Sequence, residues 1–102
     1  MNYTVQGQEY HLHYSIGRIE QIERVIKQAV TGVLVALADQ NYPSVATLTT
    51  LFAYGLFSEK GEYAPIKTAT EYAQQQLQEF GYLAMMNAVI EQIQEDCGFL
   101  FR

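Results

Sequence analysis

Apolar and polar residues alternate at the start of the chain: Tyr3 and Val5, then Tyr10, Leu12 and Tyr14, are separated by polar neighbours. Period two is the signature of a strand with one buried face. Gln6-Gly7-Gln8 supplies a turn, so the pattern predicts a two-stranded hairpin over residues 3–14. Such a hairpin is marginal alone and requires an apolar support. Ser15 is placed to cap a helix, because its hydroxyl can accept from a free amide of the first turn.

From Ile16 the period becomes 3.6. Ile19, Ile22, Ile26, Ala29, Val30 and Val33 share one stripe, whereas Arg18, Glu20, Gln21, Arg24 and Lys27 fall off it, which predicts an amphipathic helix over residues 15–30. Glu20–Arg24 and Glu23–Lys27 have the spacing of stabilising ion pairs with the acid first. Thr31-Gly32 predicts an interruption, followed by a short apolar helix over residues 33–38. Asp39–Pro43 reads as a loop and Ser44 as the next cap. Val45, Leu48, Leu51, Phe52 and Leu56 then predict a helix over residues 44–57, in which Gly55 leaves room for another backbone.

Ser58–Pro65 combines charge, Gly61 and Pro65 and reads as a loop. Thr68-Ala69-Thr70-Glu71 fits a capping box and predicts a helix over residues 68–80 built on Ala69, Tyr72, Ala73, Gln76, Leu77 and Phe80. Gly81 marks an end or a kink. A last helix over residues 82–97 turns Leu83, Met86, Val89, Ile90, Ile93 and Cys97 inward, with Gly98 just beyond it as a terminating residue. The expected fold is mainly α: one domain, residues 1–102, with an N-terminal two-stranded β-hairpin packed on a bundle of four to five short helices.

Composition narrows the function. The 102 residues are 49% hydrophobic and 17% charged, which suits a folded domain rather than a disordered tail. Six Lys and Arg against eleven Asp and Glu give a formal charge of −5, the wrong sign for binding nucleic acid. The start, MNYTVQGQEY, has neither the basic residues nor the apolar stretch of a secretion signal. The nearly uncharged stretch Gln28–Ala38 is too short for a membrane span, which needs about 20 residues. One cysteine, Cys97, makes no internal disulfide and fits a reducing cytoplasm.

Candidate chemistry is sparse. His11 and His13 share a strand face, a usable spacing for metal ligands, but further ligands of matching kind are missing. They read as half-exposed strand residues. Cys97 follows Glu95-Asp96, whose carboxylates disfavour a thiolate, and reads as a buried structural thiol. Glu20/Glu23 and Glu91/Glu95 lie on polar helix faces, where solvation accounts for them. No phosphate-binding, nucleotide-binding or nucleophile-elbow motif occurs. The expectation is therefore no catalytic residues, no cofactor and no metal.

Eight tyrosines and five phenylalanines are many for an acidic chain without Trp. Tyr10, Phe52 and Tyr72 suit the core. Tyr54, Phe57, Tyr63, Phe99, Leu100 and Phe101 lie at a helix end, in a loop and at the terminus, and are the candidate partner-binding residues, since exposed apolar clusters mark interaction surfaces. The alternative for Phe99-Leu100-Phe101 is that it folds back and closes the core. Charge is uneven as well. Residues 68–102 carry one base, Arg102, against Glu71, Glu79, Glu91, Glu95 and Asp96. This acidic surface favours a basic partner on approach.

The order of segments resembles the tail assembly chaperones of long-tailed bacteriophages. The resemblance runs from about Gly7 to Phe101 and rests on three segments. These are the strand pair leading through EYHLHYSIGRIEQIERVI, with Ile22-Glu23 similar to the family's Leu-Glu step; TGVLVAL, with Thr31-Gly32 and Ala36-Leu37 similar to its interrupted second segment; and SVATLTTLFAYGL, similar to its Ser…Leu…Leu…Gly-Leu helix. The resemblance implies a non-enzymatic role in the host cytoplasm. Such chaperones bind the tape-measure protein, recruit tail-tube protein around it and leave the finished tail, so the protein is not expected in the mature virion. It further implies a short form of a kind that a ribosomal frameshift extends in many of these phages. The family offers no motif residues for a binding site, and none are carried over. Association into a homo-oligomer fits the same apolar patches.

Other readings stay open. A head–tail connector component would persist in the particle. A helix-turn-helix regulator would place residues 44–57 on DNA, but no Arg, Lys, Asn or Gln occurs between Ser44 and Phe57 to read bases. A small enzyme built on Cys97 runs against the acidity of its neighbours.

Overall fold

Gln6 and Gly7 both adopt positive φ, 50° and 80°, which is how a two-residue hairpin turn matches the twist of its strands. In this computed structural model, which describes residues 2–102, that turn joins β1 (Tyr3–Val5) to β2 (Gln8–Leu12). The register sets Tyr3 opposite Tyr10 and Val5 opposite Gln8. Tyr3, Val5, Tyr10 and Leu12 are buried and form one face, as period two requires.

The remainder is mainly helical: α1 (Ile16–Ile26), α2 (Val30–Ala38), α3 (Val45–Gly55), α4 (Ile66–Phe80) and α5 (Tyr82–Asp96), with a closing 3₁₀ turn, Gly98–Phe101. The hairpin packs on these helices as expected. Two predicted caps form. Ser15 Oγ accepts from Arg18 N at 3.1 Å, and Ser44 Oγ accepts from Thr47 N at 3.1 Å.

Several boundaries differ from the sequence reading, each for a physical reason. The first helix stops at Ile26, not at residue 30. Lys27 enters the left-handed region at φ 58° while its N–H donates to Glu23 O. Glu23 does not pair with Lys27. Its carboxylate reaches forward to accept from Val30 N at 2.9 Å, the first amide of α2, where Ala29 offers no side-chain cap. Glu20–Arg24 is likewise not an ion pair among the described residues, where the one close contact between a basic side chain and a carboxylate is His13 with Asp96. Thr31-Gly32 lies within α2; the break falls earlier, where the backbone turns left-handed.

A third strand follows α3 directly. β3 (Leu56–Ser58) pairs antiparallel with β2, Leu12 facing Leu56 and Tyr10 facing Ser58, to give the order β1-β2-β3. Leu56 continues the helical spacing of Phe52, which is why the sequence reads as helix to residue 57. Yet Leu56 and Ser58 are buried with Phe57 between them half-buried, a period-two pattern. The predicted loop is in part a tight return of this strand: Ser58 N donates to Glu62 O and Ala64 N to Leu56 O.

α4 begins two residues before the predicted capping box. Pro65 is its N-cap residue, with Pro65 O accepting from Ala69 N at 2.8 Å; the amide that proline lacks is not needed there, and Thr68–Glu71 lies inside the helix. Gly81, at φ 91° and ψ 165°, separates α4 from α5 in a conformation that side chains avoid. Cys97 ends α5, and Gly98 opens the 3₁₀ turn rather than a left-handed cap. The core joins sheet and helices through Tyr14, Ile22, Leu48, Leu51, Phe52, Leu56, Val89 and Ile93, all nearly inaccessible. Met86, Val89, Ile93 and Cys97 point inward as predicted; Leu83 does not, at 60% exposed.

Candidate interaction surface

The aromatic residues singled out in the sequence fall into two places. Tyr54 at the end of α3, Phe57 on β3 and Tyr63 on its return strand converge on the outer side of the sheet. Phe57 and Tyr63 are opposite each other in a bridge, ring centroids 4.8 Å apart. His13 lies 4.8 Å from Phe57 and His11 5.8 Å from it. Arg18 holds the group together: its guanidinium carbon sits 4.1 Å over Tyr63 and 4.7 Å over Tyr54. Its Nε donates to Tyr54 O at 2.7 Å and Nη1 to Gln21 Oε1 at 2.8 Å. Burial lowers the Arg18 guanidinium from its ordinary value, against the opposing influence of the Tyr63 and Tyr54 phenols. All three aromatic residues are half-buried. The cluster is an internally packed cation–π arrangement, with part of each ring reaching solvent.

The second place is the closing turn. Leu100 packs against the core, whereas Phe99 and Phe101 are each 43% exposed. The turn therefore anchors one of its three apolar residues and presents the other two.

At the joint of hairpin and last helix, Asp96 Oδ2 accepts from Tyr14 N at 2.9 Å and from Gln92 Nε2 at 3.0 Å. His13 Nδ1 sits 3.5 Å from the same oxygen. Cys97 is buried, its Sγ 3.5 Å from Tyr14 O. Burial first, then Asp96, push its thiol above the ordinary value, opposite to what a reactive cysteine needs. Among the described residues no group of three or more His, Cys, Asp and Glu is placed to hold a metal ion, and no helix is long and apolar enough to cross a membrane.

A more open surface lies where β1 meets α4 and α5, and the sequence reading did not single it out. Tyr72, Gln76, Glu79 and Phe80 follow helical spacing along α4; Ala84, Met85 and Ala88 do so along α5. Between them runs a groove of about 370 Å³, with Asn2, Tyr3 and Phe52 also in its lining. Its aromatic wall is ordered. Tyr3 meets Phe52 edge-on at 5.1 Å, and Tyr72 lies near-parallel to Phe52 at 6.5 Å, both favoured geometries. The groove is open because Ala84 and Ala88 are too small to fill the space that Tyr72 and Phe80 frame. Burial raises the Tyr72 phenol from its ordinary value, and the carboxylates of Glu79 and Glu9 add to the effect, so negative charge borders the apolar wall. Phe80 is 61% exposed. The signal in the sequence was the Tyr72–Gln76–Phe80 spacing, which reads equally well as the body of a buried helix.

No protein-family model matches the chain, and the comparisons with curated proteins and with solved structures likewise return no significant match.

Proposed function

We propose that this protein is a non-enzymatic chaperone that covers apolar segments of a helical client polypeptide, in the manner of the phage tail assembly chaperones its segment order resembles. The supporting observation is the apolar groove of β1, α4 and α5, lined by Tyr3, Phe52, Tyr72, Phe80, Ala84, Met85 and Ala88. A folded acidic domain that leaves such a channel open, with Phe80 in its lining more than half exposed, presents apolar surface where a monomer ordinarily hides it. The resemblance names the client class: a tape-measure protein, long and helical, held in solution in the host cytoplasm until tail-tube protein assembles around it. The acidic side chains of α4 and α5 supply the solubility a holding protein needs.

Co-expression with a tape-measure protein tests this. The expected outcome is a several-fold rise in soluble client and its recovery with this chain by affinity capture. Unchanged solubility together with no capture removes the proposal.

A further inference from the structure

Resting on the chaperone reading, we infer that the β1–α4–α5 groove seats one amphipathic helix of a different polypeptide, its apolar stripe between Tyr72, Phe80, Ala84 and Ala88 and its flanks carrying Lys or Arg. Shape argues for a helix. The groove lies between two helices joined by a single glycine, and Ala84 and Ala88 on α5 leave the close approach that ridge-into-groove packing of a third helix needs. About 370 Å³ holds a few apolar side chains, the number one helix face presents over two turns.

Charge argues for the sign of the flanks. Glu79 lies in the lining, and neither Lys nor Arg is among the described lining residues. The adjoining depression at Thr4, Val5, Thr68 and Gln75, which shares Tyr72, is bordered by Glu71 and again by no base. Along α5, Glu91 and Glu95 follow Ala84 and Ala88 at helical spacing on the same face. A helix laid here meets apolar contacts in the middle and carboxylates at the edge. Charge also argues against a second copy as occupant. A symmetric pairing through the groove would set two linings that each hold Glu79 and no Lys or Arg against one another, in a chain of formal charge −5.

The chain contains no Trp, so a short synthetic Leu/Lys amphipathic helix with one Trp can be followed by Trp fluorescence anisotropy, excited at the red edge where the eight tyrosines absorb little. It should bind, weakening about tenfold from low to high salt, whereas the matched Leu/Glu helix should not. Ala84→Phe, which fills the groove from an exposed position, and Glu79→Lys should each weaken binding about tenfold. Glu20→Lys on α1 makes the same charge change elsewhere and should leave binding at the wild-type level. Thermal unfolding of each variant establishes that it is folded. Equal binding of the Leu/Glu helix, wild-type affinity in both groove variants, equal loss in Glu20→Lys, or a dimer in sedimentation that the peptide does not disperse overturns the inference. If the groove variants still keep a co-expressed client soluble, the groove assignment falls and the chaperone reading stands. If the Lys helix binds through the groove while the client stays insoluble, the reverse holds.

Discussion

Tyr14 is the residue on which hairpin, α3 and α5 converge. Its amide donates to Asp96, its carbonyl faces Cys97 Sγ, and its phenol donates to Leu51 O at 2.7 Å while the ring is 1% exposed. The ring fits because position 55 has no side chain. A Cβ on Gly55 would stand 2.5 Å from both Cζ and the hydroxyl oxygen of Tyr14. The glycine thus serves the close approach read from the sequence, but what approaches is a side chain rather than a backbone. Gly55→Ala should destabilise by about 1–3 kcal/mol, the usual cost of overpacking a filled core. Urea unfolding checks it through a lower midpoint at unchanged slope. A midpoint equal to wild type would mean that the end of α3 shifts to make room at no cost.

At the level of elements, the connection between α1 and α2 depends on one long-range cap. Ala29 cannot cap α2, so Glu23, seven residues upstream, supplies the acceptor for Val30 N, while its own carbonyl takes the Lys27 amide. One residue closes the first helix and opens the second. Glu23→Ala should cost about 1 kcal/mol, the worth of an N-cap, and Glu23→Gln, which keeps an acceptor but loses the charge, should cost less. The neighbouring exposed Arg24→Ala is the reference in the same denaturant series; equal losses at 23 and 24 would refute the cap. This connection also shows what sequence could reveal. Ser15 and Ser44 were legible as caps because their partners lie three residues on. The hairpin was legible because its alternation and its Gln-Gly turn are local. Glu23 instead has two local options, Lys27 and Val30, and the left-handed turn at Lys27 selects the second. β3 was missed for a related reason: Leu56 satisfies helical spacing with Phe52, and its pairing with Leu12 bridges more than forty residues. The groove is harder still to read. Tyr72, Phe80, Ala84 and Ala88 are ordinary helix residues one by one, and they become a channel through the docking of α4, α5 and β1.

For the molecule as a whole, the tyrosines tie stability to alkaline pH. Burial, foremost, raises the phenols of Tyr14, Tyr3, Tyr72 and Tyr82 from their ordinary value, Tyr14 furthest. Tyr14 feels Tyr3 and Asp96 in addition. These phenols lie in the core, in the groove wall and at the start of α5, where Tyr82 donates to Pro43 O. In the unfolded chain they lose protons near pH 10, while the folded chain retains them to higher pH. Above that point the folded state binds more protons, so unfolding stability falls as pH rises. Below it the phenols are protonated in both states and contribute no slope. Cys97, raised by burial and then by Asp96, acts in the same direction from a lower starting pH. Tyr14→Phe isolates the largest contribution. Near neutral pH it should lose about 1 kcal/mol with the Leu51 hydrogen bond. Because phenylalanine has no proton to lose, its stability should decline less steeply above pH 10, and the gap to wild type should narrow there. Denaturant midpoints for the two proteins from pH 8 to about 12 measure this gap. A gap that stays constant across the range would mean that the Tyr14 phenol ionises as readily in the core as in water, contrary to a ring enclosed by α3, the sheet and Asp96.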